Sequence, residues 1–211
     1  NATPRVIYGW AKAGTFFKAF THIDKASGIP RPALWLTFGL SIFWTLPFPS
    51  WEQLISVVSA ALVLSYAIAP VTAAGLRRNA PDLPRPFRVR AFGIIGPVSF
   101  MISALIVYWS GWNTLSWLLG LQIVMFVVYV MCKGKVPEHT VSLAQQVKSS
   151  LWLIVFYALI ILFSWLGSFG GLNVIGHPWD TVLVAAMSLG IYYWGARSCL
   201  PQANFSGDEE E

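Results

Sequence analysis

The sequence predicts an all-α polytopic membrane protein with six transmembrane helices and both termini in the cytoplasm, and three observations carry that prediction. Charged residues make up 11% of the chain and hydrophobic residues 56%, far from the balance of a soluble domain. Uncharged runs long enough to span a bilayer at 1.5 Å per residue recur along the chain. Between them, residues 77–90 hold five arginines and three prolines, a density that neither a helix nor a hydrocarbon core accommodates. That segment reads as a hairpin loop between two membrane helices, on the side that carries positive charge.

In chain order, residues 1–32 read as a cytoplasmic loop. It has no initiator Met, signal peptide or signal anchor, so Asn1, Ala2, Thr3, Pro4 and Arg5 read as a loop already under way. Basic residues interleave there with Val6, Ile7, Trp10, Phe16, Phe17 and Phe20. That mixture suits either a short helix lying in the inner headgroup layer or an amphipathic linker packed on protein. Four helices are expected within 33–132, at 33–48, 53–75, 92–110 and 114–132. The turns between them fall at Pro47 to Trp51, at the arginine loop, and at Ser110 to Thr114. Residues 133–149 read as a polar cytoplasmic connector. Two further helices are expected at 150–168 and 178–196, separated by the glycine cluster Gly167, Gly170 and Gly171. Residues 197–211 read as a disordered cytoplasmic tail ending in Asp208, Glu209, Glu210 and Glu211.

Charge placement tests this count. All 14 Lys and Arg fall in residues 1–31, 77–90, 133–148 and 197–211, which six spans put on one side of the membrane. By the positive-inside rule that side is cytoplasmic. The net charge of +5 therefore reads as a topology signal, with anionic headgroups as minor partners and no nucleic acid. The 11 Trp suit two interfacial belts. Cys132 and Cys199 have no metal spacing and fall at inner helix ends, where a packing role is expected.

Candidate chemistry is sparse. No ionisable residue lies in the middle of any predicted span, where proton relays are usually found. Glu52 and Asp180 sit at the outer ends of the second and sixth helices; each reads as favoured by the helix dipole, or as an outer gate or cation contact. His22, His139 and His177 are scattered in loops, and no serine has an acid or imidazole at a spacing that suggests a nucleophile. No catalytic residue, cofactor or metal is expected. Asn1-Ala2-Thr3 and Asn204-Phe205-Ser206 match the glycosylation pattern on the cytoplasmic side, where it is a chance match. The second helix alone has a patterned polar face: Ser56, Ser59, Val63, Tyr66 and Pro70 recur at helical spacing. Two readings stand for Ser56, Ser59, Tyr66 and Pro70: lining of an aqueous path, with Pro70 as a flex point, or close helix packing alongside Ala60, Ala67 and Ala74.

Two loops resemble those of a known family. Arg5-Val6-Ile7-Tyr8-Gly9-Trp10-Ala11-Lys12-Ala13-Gly14, followed by Pro30-Arg31-Pro32-Ala33-Leu34, is similar to the inner loop between spans eight and nine of amino-acid permeases. Ala80-Pro81-Asp82-Leu83-Pro84-Arg85-Pro86-Phe87-Arg88-Val89 is similar to the loop between spans ten and eleven. These permeases form part of the amino acid–polyamine–organocation (APC) superfamily. The resemblance extends from residue 1 to about 132, with departures at Lys12-Ala13, Phe16-Phe17 and Arg90.

The resemblance implies the C-terminal half of an inverted-repeat, LeuT-like secondary transporter, a fragment corresponding to the last six of fourteen spans. It implies amino-acid transport, often proton-coupled, with the substrate held at broken helices in N-terminal spans that precede this chain. The partners implied are the amino-acid substrate, a coupling proton, membrane lipids and those N-terminal spans. The last two helices would lie outside the twelve-span core as a lipid-facing or homo-oligomer-forming pair. The expected location is the plasma (inner) membrane. An acidic-substrate, proton-coupled symporter is one subfamily considered, although no residue here selects it. The alternative is a self-contained six-helix assembly or regulatory subunit; an enzyme is not expected.

Overall fold

The computed structural model describes residues 2–13, 16–24, 28–45, 50–81, 84–132 and 143–199. Among the described residues there are seven α-helices and one 3-10 turn, Lys18–Thr21, and no strand. The helices are α1 Ala2–Lys12, α2 Arg31–Thr45, α3 Trp51–Asn79, α4 Phe92–Trp109, α5 Gly111–Cys132, α6 Leu143–Leu166 and α7 Trp179–Ser198. Three stretches among the described residues are long and apolar enough to cross a membrane: Trp51–Asn79, Phe92–Trp109 and Lys148–Leu166. The expected acidic tail and most of the polar connector lie outside the described residues.

Local chemistry explains where the helix ends differ from expectation. α2 begins at Arg31 because Pro32, with its fixed φ and missing N–H, fits a first helical turn. α3 begins at Trp51, where Ser50 Oγ accepts the Gln53 N–H at 3.3 Å, an N-cap contact. It then continues through Arg77 and Arg78, basic residues that suit a helix C-terminus. The break between α4 and α5 is confined to Ser110, with Gly111 at φ 84°. A single glycine in the left-handed region therefore replaces the longer turn expected through Thr114. α6 starts at Leu143, seven residues before the expected 150. Leu143, Ala144, Gln145, Gln146 and Lys148 are good helix formers, so polarity in that stretch does not interrupt the helix.

The chain divides into two compact units, residues 1–55 with 120–140 and residues 56–119 with 141–211. In the first, α1 packs on α2, and Ile7, Ala11 and Ala33 are buried. Arg31 pairs with Asp24 at 2.9 Å, and Phe16, Phe17 and Phe20 cluster around the 3-10 turn. The hydroxyls of Thr37, Ser41 and Thr45 bond back to carbonyls of their own helix, which satisfies them without an outside partner.

The second unit contains the larger core. α4 packs on α7, and α6 packs on both. Phe100, Phe156, Ile160, Val184 and Tyr192 are buried there, with the Val57, Ala60, Leu64, Ala67, Val71 and Gly75 stripe of α3. Small residues set how closely the helices approach. A Cβ at Gly195 would stand 2.8 Å from both Trp152 and Val71, so α7 meets α6 and α3 at a point that admits no side chain. Gly96 likewise leaves room for the Tyr192 hydroxyl, and Gly75 for the Cys199 thiol. Burial pushes the Cys199 thiol up, against the opposing effect of Arg78.

Gly195→Val is expected to destabilise the protein by about 1–3 kcal/mol through overpacking. Gly190→Ala in the same helix, where a Cβ meets nothing within 4 Å, is expected to be neutral or stabilising. Thermal unfolding in detergent compares the two; equal losses would contradict the tight α3–α6–α7 contact.

Candidate functional site

Two features stand out in the second unit. The first is a knot around Asp180, which is fully buried in the first turn of α7. Its Oδ2 accepts the Tyr108 hydroxyl of α4 at 2.6 Å, the Ser168 hydroxyl at 2.5 Å and the Ser168 N–H at 3.3 Å. Its Oδ1 accepts the Thr181 N–H at 2.6 Å and the Thr181 hydroxyl at 3.2 Å. The exposed His177 places Nδ1 3.6 Å from Oδ1. A buried carboxylate costs several kcal/mol in desolvation unless donors surround it; here five donors and the amino end of α7 do so.

The loop after α6 is folded by the same logic. Leu172, Asn173, Val174 and Ile175 donate their N–H groups to the carbonyls of Trp165, Gly167, Leu166 and Leu166, closing the end of α6. Phe169 packs edge-on against Tyr108 at 5.5 Å, and its carbonyl accepts the Trp112 N–H at 2.9 Å. The knot therefore ties α4, α5, α7 and the loop after α6 at one end of the unit.

The second feature is an open groove of about 380 Å³ between α3 and α4. Tyr66, Pro70 and Ala73 form one wall; Phe92, Ser99 and Ser103 form the other. Of the sequence-derived candidates, Tyr66 and Pro70 enter this groove, whereas Ser56 and Ser59 are exposed beyond it. Each member of the polar stripe precedes a member of the buried stripe by one residue, so the two run side by side, about 100° apart around the helix. Pro70 sits inside α3, where it leaves the Tyr66 carbonyl without its helical donor.

Glu52 is exposed in the first turn of α3, where Ser50 supplies the side-chain cap. Asp180 does take one first-turn N–H, but its other oxygen faces Tyr108 and Ser168. Sequence reasoning missed Tyr108 and Ser168 because neither has any local relation to Asp180. The one available signal was an acidic residue between two apolar runs, which needs donors from somewhere.

Tyr108→Phe is expected to cost about 1–3 kcal/mol of stability by removing a donor from a buried carboxylate. Asp180→Asn is expected to cost as much or more. A double-mutant cycle in detergent should give strong coupling between them; additive losses would mean that the 2.6 Å contact contributes nothing.

Comparison with known proteins gives this geometry a context. No family model and no solved structure matches the chain. The chain is 55% identical over 210 residues to the aspartate-proton symporter of Bacillus subtilis (strain 168), a match that covers 99% of this chain and 40% of that protein. It is 31% identical over 198 residues to the glutamate/serine transporter AimA of the same organism, covering 93% of this chain and 36% of that protein. It thus spans roughly two fifths of the length of these curated relatives. Both relatives are transporters and not enzymes, in keeping with the sparse chemistry of the sequence. With its long apolar helices, the chain is an integral membrane protein homologous over nearly its whole length to bacterial amino-acid transporters.

Proposed function

We propose that the chain forms the C-terminal six spans of a proton-coupled amino-acid symporter of the APC superfamily, with an acidic amino acid as substrate. The observation that carries this reading is the 55% identity across 99% of the chain to an aspartate-proton symporter. The two permease-like loops support it independently. In this reading the fold is LeuT-like, both termini and the arginine loop are cytoplasmic, and the substrate site lies in N-terminal spans not included in these residues. The absence of an ionisable residue from the middle of the predicted spans fits a chain that frames the transport path and leaves coupling to those spans. α6 and α7 would then sit outside the transport core, facing lipid or a second copy.

α3 is the element closest to transport on this account. Ser56, Ser59 and Tyr66 present small hydroxyls and a phenol on a face not buried in this chain. That face suits an outer aqueous path, with Pro70 as the point where α3 flexes. Glu52 would lie at its outer mouth. A self-contained assembly subunit would not need this likeness to a symporter over its whole length, so the transport reading is the better one.

The test is uptake of radiolabelled aspartate by proteoliposomes containing the full transporter, under an inward proton gradient. Uptake should collapse when a protonophore removes the gradient. Tyr66→Phe is expected to lower uptake at subsaturating substrate by roughly threefold to tenfold, the worth of one hydrogen bond, and Ser59→Leu to lower it further. Gradient-independent uptake would remove proton coupling, and unchanged kinetics in both variants would leave the stripe a packing surface.

A further inference from the structure

The groove between α3 and α4 has a direction that the transport reading does not use. It lies wholly in the second unit, in the half of the hairpin nearest the arginine loop. Its α3 wall runs from Tyr66 to Ala73 and its α4 wall from Phe92 to Ser103. At 1.5 Å per residue those walls are about 10 and 16 Å long, close to the depth of one leaflet of a hydrocarbon core about 30 Å thick. The groove therefore starts at the basic end of the hairpin and stops near the middle of a membrane. Its lining is apolar except for small hydroxyls and the Tyr66 phenol.

The arginines at its open end have different tasks. Arg85 is used by the loop itself, donating to the carbonyls of Leu76, Ala80 and Pro81. Arg77 lies over the ring of Phe92 at 4.1 Å and reaches the Val89 carbonyl at 3.4 Å. It thereby places a positive charge directly on a wall of the groove. Arg88 and Arg90 are exposed in the last turns before α4 begins at Phe92. A slot of about one-leaflet depth, open along two apolar helices, with the Arg77 guanidinium on one wall and exposed Arg88 and Arg90 in the adjoining loop, matches one ligand chemistry: an acyl chain joined to an anionic phosphate.

We infer that the α3–α4 groove holds one acyl chain of an anionic phospholipid from the leaflet on the arginine side, with Arg88 and Arg90 on its phosphate and Arg77 at the neck. The site is independent of which solute the protein moves. It takes the basic half of the hairpin, including Tyr66 and Pro70, so lipid and aqueous path compete for those two residues. Only Ser56 and Ser59 of the stripe stay clear of the lipid. Bound lipid would fill the space between two helices that Pro70 and Pro97 interrupt.

The experiment is native mass spectrometry of the full-length protein in detergent, with phosphatidylglycerol or phosphatidylcholine of the same chain length. The expected result is a retained phosphatidylglycerol adduct at least tenfold favoured over phosphatidylcholine. That preference should be lost in Arg88→Gln/Arg90→Gln, as removal of two surface charges predicts. Ser99→Leu, which fills the groove without touching the arginines, should weaken the adduct of both lipids. Equal retention of the two lipids by the unaltered protein would overturn the headgroup assignment. An adduct unaffected by Ser99→Leu would overturn the groove. A photoactivatable acyl chain on phosphatidylglycerol locates the site directly: cross-links should fall within residues 66–73 or 92–103, and their absence there would mean that protein covers the groove.

Discussion

The carboxylate of Asp180 is the interaction on which the larger unit depends. A charge with no access to solvent is tolerated only where the fold delivers donors to both oxygens. Those donors come from α4, from the loop after α6 and from α7 itself. Satisfying this one group therefore fixes the register of α4 against α7 and the path of the loop between α6 and α7. Phe169 adds an apolar side to the same knot by packing on both Tyr108 and His177. The opposite end of the unit has its own ties. The Asn79 amide donates to the Cys199 carbonyl at 3.2 Å, and Arg85 closes the carbonyl end of α3. Between these polar ends the contact is apolar and dense, with Phe100 against Phe156, Trp152 and Tyr192.

This division of labour follows from the solvent. In hydrocarbon the backbone must satisfy itself, and apolar side chains gain little from leaving lipid for protein. Specific packing then comes from close approach at glycines and from polar groups paired at helix ends. The structure uses both, with Gly75, Gly96 and Gly195 at helix contacts and Asp180, Asn79 and Arg85 at the ends. Large apolar residues such as Trp35, Phe38 and Tyr66 remain exposed, as expected of surfaces that meet hydrocarbon.

Much of this was legible in the sequence because charge is so costly in a bilayer. The arginine loop, the uncharged runs and the glycine cluster placed the helices to within a few residues at most ends. The exceptions are informative. The early start of α6 was hidden because Gln and Lys read as connector by polarity yet favour helix by propensity. The break at Gly111 was read as too long because several turn-forming residues flank it. Of the site, the stripe through Tyr66 and Pro70 was visible as periodicity along one helix. The α4 wall of the groove was not, because its pairing with α3 is tertiary. Asp180 was noticed, but its partner Tyr108 lies 72 residues away, and no spacing rule reaches that far.

The account places the arginine loop and the loop between α6 and α7 on opposite faces of the membrane, and side-specific labelling tests this most directly. Phe87 and Val174 are 81% and 69% exposed, so a cysteine at either is open to reagent. In a protein with Cys132→Ala and Cys199→Ala, a membrane-impermeant maleimide should label Val174→Cys in intact cells. It should reach Phe87→Cys only in inverted vesicles. Labelling of both positions from the same side would contradict the account.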